Sequence, residues 1–401
     1  MYKFDVEKYV KLHNTDHKYK KYFFEPYPTS LRLINAIYFL STNNLEDALQ
    51  KQFLVCLEND YRNLCMTIEY HLDANHLLEN YIAKNLYEMI FHIDHSCKET
   101  IKCLNDQVLS DGAHYERSPM YQAAIIERLL LFSGALMNFS MKKPDQIKEI
   151  LAKMLGWLEL FKYKESYLHF GDSTDKVALS FDKLSHNFKL IFDKEIKAIT
   201  DRSQSGFFCI SNSRFKAVIS DGNIKCNHNP GHSHSDCMTF NLLIDGKLFV
   251  INNGISTYEI TGQRLLERST KFHNCLTLNN KNSHNVWSSF RVAERSTTYV
   301  VENKDTISLE TKFYFSNNSH KRIFKISNGS FTIEDQLSKK NYSELNFFFD
   351  SQIKKHEIKK KIDCENDYTV QNVNIPSGFN SFVNGTNMKI NIVKRNLIKI
   401  I

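Results

Sequence analysis

No uninterrupted apolar run in this 401-residue chain approaches the roughly 20 residues that a membrane-spanning helix needs. Its first 25 residues, MYKFDVEKYVKLHNTDHKYKKYFFE, are charged throughout and hold no apolar core of the kind a secretory leader requires. The expectation is a cytoplasmic protein without membrane insertion, or a periplasmic one if an upstream segment is removed. Cysteine is present in an odd number, nine, with no close C-x-x-C pair. That pattern argues against a disulfide framework and a zinc ribbon, and for reduced, mostly buried thiols. Internal repeats and low-complexity tracts are also missing.

What is present is ordinary for a globular protein: 42% apolar residues, 24% charged residues, and length enough for two or three domains. The net charge of +7 suits a polyanionic ligand, and equally suits a lysine-rich solvated surface. Charge alone does not choose between them.

The periodicity changes once along the chain. From residue 29 to about 195, apolar residues recur at three- and four-residue steps, as in HLLENYIAKNLYEMIFHI and PDQIKEILAKMLGWLELFKY. Thr29 or Ser30 is available as an N-cap, and Pro119 and Pro144 stand at first-turn positions. Long helices joined by short loops predict an all-helical domain of antiparallel hairpins. From Gly206 the period becomes two. Asp245-Gly246, Asn328-Gly329 and Asn384-Gly385 lie between apolar runs as tight-turn dipeptides. Many such strands in series predict an antiparallel sandwich. The polar stretch 196–205 separates the two, giving a helical domain over 1–198 and a sandwich over 199–401. The fold class is α+β, multidomain.

Two places in the helical half are more polar than packing requires. In DANHLLEN, Asn75, His76 and Glu79 cluster at a helix start; one reading is a capping box, with Asp73 or Asn75 as N-cap and Glu79 closing it. In DGAHYERSPMYQ, Ser118 is a natural N-cap. Tyr121 falls in the first helical turn, either as a packed amphipathic residue or as a phenol poised for proton transfer.

The strand half holds NHNPGHSHSDCMTF, with His228, His232 and His234 within seven residues. Strict alternation would put His232, His234 and Asp236 on one face, where two imidazoles and a carboxylate are costly to bury without a partner. His273 enters a later strand and Asn252 ends another. The histidines can be metal ligands, acid–base groups, or hydrogen-bonded polar residues near a bend.

EPYPTSLRLINAI, NHLLEN, DGAHYERSPMYQ, NPGHSHSDCMTFNLLIDGKLFVINNG and RSTKFHNCLTLNNKNSHNVWSSFRV stand in the order of the signatures of a known family. On these blocks, spanning about residues 25 to 295, the chain resembles the heparinase II/III-like polysaccharide lyases, most of all the bacterial members tied to surface-polysaccharide gene clusters. The resemblance implies an incomplete α/α toroid of helical hairpins followed by an antiparallel β-sandwich. It also implies β-elimination of a uronate-containing glycan in a cleft between the domains. Residue by residue, it assigns Asn75 and His76 to neutralising the uronate carboxylate, Tyr121 to acid catalysis with the base role open to it as well, and His232 to the other catalytic group. Glu79, His114, Glu116, Arg268, Trp287 and Arg291 become substrate-binding or supporting residues. His234, His273 and Asn252 fall where some members bind a structural zinc ion.

Three departures stand out. Asn252 replaces an aspartate, and a neutral amide is the poorer zinc ligand. Gln122 stands where relatives often have histidine. Only about 25 residues precede the PYPTS block, which implies a shortened toroid and a more open cleft.

The competing reading is a non-catalytic or biosynthetic protein that binds capsule or O-antigen polysaccharide on the same fold. It is favoured by the short N-terminus, Asn252 and the missing leader. A cupin-like metal enzyme leaves the helical motifs unexplained. Nucleic acid would explain the charge and none of the motifs, so the expected partner is an acidic polysaccharide.

Overall fold

The computed structural model describes residues 4–15, 20–303 and 305–401; residues 1–3 and 16–19 of the charged N-terminal stretch lie outside them. The chain forms two compact units. The first comprises Met1–Gly112, Gln122–Gly156 and Phe181–Ala198, and the second Ala113–Tyr121, Trp157–Ser180 and Ile199–Ile401. A single boundary at 198/199 therefore misses an interleaving: two segments from the helical half, 113–121 and 157–180, pack with the strands.

The helices are α1 (Val6–Asn14), α2 (Lys20–Phe23), α3 (Pro26–Thr42), α4 (Asp47–Thr67), α5 (Ala74–Ile90), α6 (Lys98–Gln107), α7 (Pro119–Asn138), α8 (Asp145–Leu158), α9 (Phe181–Phe192), α10 (Gly262–Glu267) and α11 (Lys355–Lys361). In the first unit α3 packs on α4 and α5, α5 on α6, and α1 on α4. The contacts follow the four-residue spacing of the sequence. Leu33 and Ile37 on α3 and Leu78, Ile82 and Leu86 on α5 are fully buried. Each is worth about 1.5–3 kcal/mol of transfer free energy.

Several expected caps differ. Helix α3 starts at Pro26, and Thr29 and Ser30 lie buried inside it; Ser30 Oγ donates to the Pro26 carbonyl at 2.9 Å instead of capping. Helix α5 has Asp73 at its N-cap with φ 54° and no side-chain cap bond, so no capping box forms. Ser118 does accept from the Tyr121 backbone N–H at 3.3 Å, opening α7. Among the described residues α7 is long and apolar enough to cross a membrane by length and composition, although no such run was expected. It carries Glu127 and Arg128, and 67% of its most apolar window is buried.

The strands are β1 (Lys162–Tyr163), β2 (Ser166–Tyr167), β3 (Phe207–Ser211), β4 (Phe215–Ser220), β5 (Phe240–Ile244), β6 (Lys247–Ile251), β7 (Leu276–Leu278), β8 (His284–Trp287), β9 (Arg291–Arg295), β10 (Thr297–Asn303), β11 (Thr306–Lys312), β12 (Ser319–Ile326), β13 (Phe331–Leu337), β14 (Ser343–Phe349), β15 (Ile362–Cys364), β16 (Tyr368–Gly378), β17 (Ser381–Ile392) and β18 (Arg395–Ile400). One sheet runs β16-β17-β14-β6-β5-β4-β3 with β7 also on β14; the other runs β10-β11-β12-β13-β18-β15. Phe240, Phe347 and Met388 from the first meet Phe324, Phe331 and Ile333 from the second in one apolar core. This is the antiparallel sandwich that the two-residue period predicts.

Asp245-Gly246 turns β5 into β6 with both residues at positive φ, as such dipeptides do. Asn384-Gly385, read as a turn, instead lies within β17. The hairpin turns at Phe379-Asn380, one register step from Gly378. Gly385 is there for packing: a Cβ would sit 1.9 Å from Ile375 Cδ1.

Candidate active site

The stretch around His232 and His234 is irregular rather than extended. Residues 221–239 link β4 to β5 without strand structure. The strict alternation of side chains is therefore lost, yet both imidazoles reach one carboxylate. His232 Nδ1 lies 2.8 Å from Asp172 Oδ2, and His234 Nε2 lies 2.8 Å from Asp172 Oδ1. Asp172 follows Gly171, whose φ of 55° and 2.8 Å approach of its would-be Cβ to the His232 carbonyl leave no room for a side chain. The Asp172 backbone N–H donates to that same carbonyl.

Arg264 on α10 closes the arrangement. Its guanidinium donates to both Asp172 oxygens, at 2.5 and 2.7 Å, and to the Ser289 carbonyl. Burial pushes the Asp172 carboxyl up, but Arg264 and the two imidazoles outweigh it and hold it well below the usual carboxylate range. Burial lowers the His232 pKa, while Glu116 and Asp172 raise it by more, so the net shift is upward. His234, with no such surplus, is lowered to about 4, chiefly by burial.

Tyr121 completes the cluster. Its ring stacks on His232 with centroids 3.9 Å apart, and its hydroxyl lies 2.8 Å from the Tyr258 hydroxyl. Glu116 Oε1 stands 3.7 Å from His232 Nε2, and His114 Nδ1 3.4 Å from Glu116 Oε2. Burial and the neighbouring His232 lower the His114 pKa to about 3. Phe290, at the tip between β8 and β9, presents its ring edge to His232 at 6.1 Å and tilts against Tyr258 at 5.5 Å. Tyr121 and Tyr258 are half-buried, so the phenols are reachable, whereas Asp172 and Arg264 are fully buried beneath them.

The structure thus brings together Tyr121, His232, His114 and Glu116. Trp287 and Arg291 pair across the exposed β8–β9 hairpin and flank Phe290. Arg268 is fully buried, its guanidinium on the Ser233 and Ser288 carbonyls, where it clamps the histidine segment. Asp172, Arg264, Tyr258 and Phe290 were missed by sequence reasoning. None sits in a recognisable spacing, and only folding sets Asp172 beside residues 60 and 92 positions away.

In the first unit, Asn75 is buried and His76 half-buried, with His76 Nδ1 3.1 Å from Glu69 Oε1 and its ring 4.5 Å from that of Tyr27. Glu79 is 1% exposed, with Arg128 Nε 3.9 Å away. Burial raises its pKa to about 8. Gln122 donates to the Gly112 and Met154 carbonyls, a structural use of the position.

His234, His273 and Asn252 do meet, but not as three ligands. His234 Nδ1 lies 3.1 Å from His273 Nε2, while the Asn252 amide oxygen lies 2.8 Å from His273 Nδ1, on the other side of that ring. Thr239 also donates to the Asn252 oxygen at 2.7 Å. Lone pairs on the two nitrogens of one imidazole diverge, so these three atoms do not converge on one ion. Among the described residues no group of three His, Cys, Asp or Glu is arranged to hold a metal. The donors present do not fit the zinc ion suggested by the resemblance.

An α/α helical unit, a two-sheet sandwich and a buried Arg–Asp–His support beneath a Tyr–His pair define the class. The match to known proteins is consistent with this. Residues 197–395 match the model of the family described as heparinase II/III-like, C-terminal. A heparin-sulfate lyase of Bacteroides stercoris is 26% identical over 287 residues, covering 64% of this chain and 41% of that one. The chain thus spans under half of that relative's length. Heparinase III shares the fold with a TM-score of 0.78 at 15% identity, over 99% of this chain and 72% of that one. Heparan sulfate lyase HepC from Pedobacter heparinus does so at 0.62 and 17%, over 98% and 72%. The sandwich half of the chain, residues 197–395, belongs to the heparinase II/III-like family.

Proposed function

We propose that the protein is a polysaccharide lyase that cleaves an acidic, uronate-containing glycan by β-elimination. The observation that carries this reading is the Tyr121–His232 stack, with Asp172 and Arg264 beneath it. The relatives named as heparin- and heparan-sulfate lyases support the substrate class.

The reaction removes the C5 proton of a uronate and expels the C4 oxygen. The C5–H electrons become the C4–C5 double bond as the C4–O bond breaks, and the leaving oxygen takes up a proton. No water is consumed. His232 is suited to be the base. Its Nδ1 is held by Asp172, which orients the ring and stabilises the imidazolium formed, leaving Nε2 for the C5 proton. The Tyr121 phenol donates to the leaving oxygen, with Tyr258 holding its hydroxyl in place. Asn75 and His76 of the helical unit are assigned to the uronate carboxylate, whose negative charge must be offset before C5 becomes acidic. No step requires a metal ion, and His234, His273 and Asn252 serve as buried support for the His232 segment.

The test is incubation with a panel of uronate polymers, following ultraviolet absorbance of the unsaturated product. Tyr121→Phe and His232→Ala should each lower kcat by about 10²–10⁴-fold. Full rates in both variants of an active protein would overturn the assignment. A protein that binds these glycans without releasing product, and binds equally as Tyr121→Phe, would favour the non-catalytic reading.

A further inference from the structure

A groove of about 520 Å³ lies in the second unit, away from the Tyr121–His232 cluster's own residues. It is bounded by Gln263, Leu266, Lys271 and Phe272 on one side and by β14, β16 and β17 on the other. Most of the strand residues involved, Asn346, Phe348, Gln371, Val373, Asn387 and Lys389, alternate with those that enter the sandwich core, while Asn374 and Phe382 lie nearer the hairpin end. On β14, Leu345, Phe347 and Phe349 enter the core, while Asn346 and Phe348 face the groove. Such a face would ordinarily be either covered or made of charged, freely solvated side chains. This one carries amides instead. Gln371, Asn387 and Asn346 form a ladder across the three strands through their side chains, at 3.4 and 3.3 Å, and Asn346 continues to Glu344 at 3.1 Å. Asn346 and Asn387 are each 1% exposed.

We propose that this groove is a second glycan-binding site, which takes a segment of an acidic oligosaccharide. The inference rests on the lyase reading for the class of glycan, and on the groove itself for the location. Above the buried Asn346–Asn387 pair, the accessible amides of Gln371, Asn374 and Gln263 can both donate and accept, as paired sugar hydroxyls require. Phe382 at the rim is 43% exposed and offers a flat apolar face to a sugar ring. The volume falls within the range typical of small-molecule sites. The lining contains two cations, Lys271 and Lys389, and no carboxylate. Glu344 pairs with Lys389 at 3.5 Å, whereas Lys271 is exposed and has no ion pair among the described residues.

Its position suits a chain that also reaches the catalytic cluster. Helix α10 presents Arg264 to Asp172, and Gln263 and Leu266 to the groove. The β16–β17 hairpin spans the same gap: the Phe379 ring lies 5.1 Å from Tyr258, the Asn380 N–H donates to the Ser256 carbonyl, and Phe382 lines the groove. A long chain held at one place is thereby kept at high effective concentration at the other, while a disaccharide gains nothing.

The test compares size-defined heparan sulfate oligosaccharides, a disaccharide and a dodecasaccharide, with a neutral maltodextrin of matching length. Binding is measured by calorimetry on the full chain carrying Tyr121→Phe, and product formation on the otherwise unaltered protein. Lys271→Glu combined with Phe382→Ala changes only exposed side chains. It should weaken dodecasaccharide binding about tenfold and raise KM for the long substrate similarly, leaving disaccharide binding and kcat unchanged. Unchanged dodecasaccharide affinity in that double variant would overturn the proposal, as would equal affinity for the neutral oligosaccharide or no binding of either glycan. If the double variant loses binding but no glycan is ever cleaved, the groove stands and the lyase reading falls. Cleavage with an unaffected KM has the opposite meaning.

Discussion

His232 is raised and His234 lowered by the same surroundings, because only His232 has a second carboxylate, Glu116, beside it. A base must be neutral to accept a proton, and a raised pKa keeps the imidazole protonated to higher pH. Lyase activity should therefore rise with pH through an apparent pKa above the ordinary 6.5 of histidine. A kcat that falls across that limb would exchange the roles of His232 and Tyr121. Glu79 gives a stability counterpart. Its folded pKa of about 8 lies above its ordinary 4.5, so the folded state holds a proton that the unfolded chain releases. The stability this confers is complete below about 4.5 and is lost as pH rises through about 8. Denaturant unfolding from pH 5 to 9 should show a loss of roughly 3–5 kcal/mol that Glu79→Gln abolishes. An identical slope in the variant would place the titration elsewhere. In the sandwich, Arg322 is fully buried against Asp335 and the Asn274 carbonyl. Arg322→Met should cost about 3–5 kcal/mol by leaving Asp335 uncompensated. Replacing Asp335 with Leu as well should recover part of it.

Segment 227–239 can present His232 beside Tyr121 only because other elements hold it. Asp172 arrives from the 157–180 insertion, Arg264 from α10, and Arg268 clamps the Ser233 carbonyl. Asp172→Asn keeps the shape and removes the charge. It should lower kcat by about 10²-fold or more and move the rising limb of the pH profile downward, since His232 loses a carboxylate that raised it. A purely structural Asp172 would lower stability without moving that limb. The Asn252–His273–His234 contacts belong to the same support. Purified protein should contain well under one equivalent of zinc and keep its Tm in chelator. Asn252→Asp should raise metal content if only the ligand type had been lost, and should leave it low if the divergent geometry decides.

Over the whole molecule, the net charge of +7 and the Lys271 groove should make binding of an acidic polymer salt-sensitive. KM for long substrate should rise several-fold between low salt and about 0.15 M, and kcat should stay nearly constant. A salt-independent KM would remove charge from the account of substrate capture. The fold was largely legible, because four-residue and two-residue apolar periods are imposed by burial and survive in any sequence that packs this way. The Tyr121–His232 pair was legible only through the family resemblance of the blocks that hold it: Ser118-Pro119 opens α7 before Tyr121 and Pro230-Gly231 precedes His232, but neither local pattern chooses between packing and proton transfer. Caps were read less well, since Thr29 and Ser30 are used inside a helix and Asp73 enters α5 at positive φ.

The amino-acid sequence alone determined the two kinds of unit and the residue types available for chemistry, because periodicity and turn dipeptides act over a few residues. Tertiary structure decided which of those residues act together. Asp172, Arg264 and Tyr258 come from three separate segments, and no local pattern could pair them with His232 or Tyr121. It also decided the fate of Asn252: in sequence it occupies a ligand position, but in space its oxygen meets the far nitrogen of His273, because a ligand set depends on convergence and not on order along the chain.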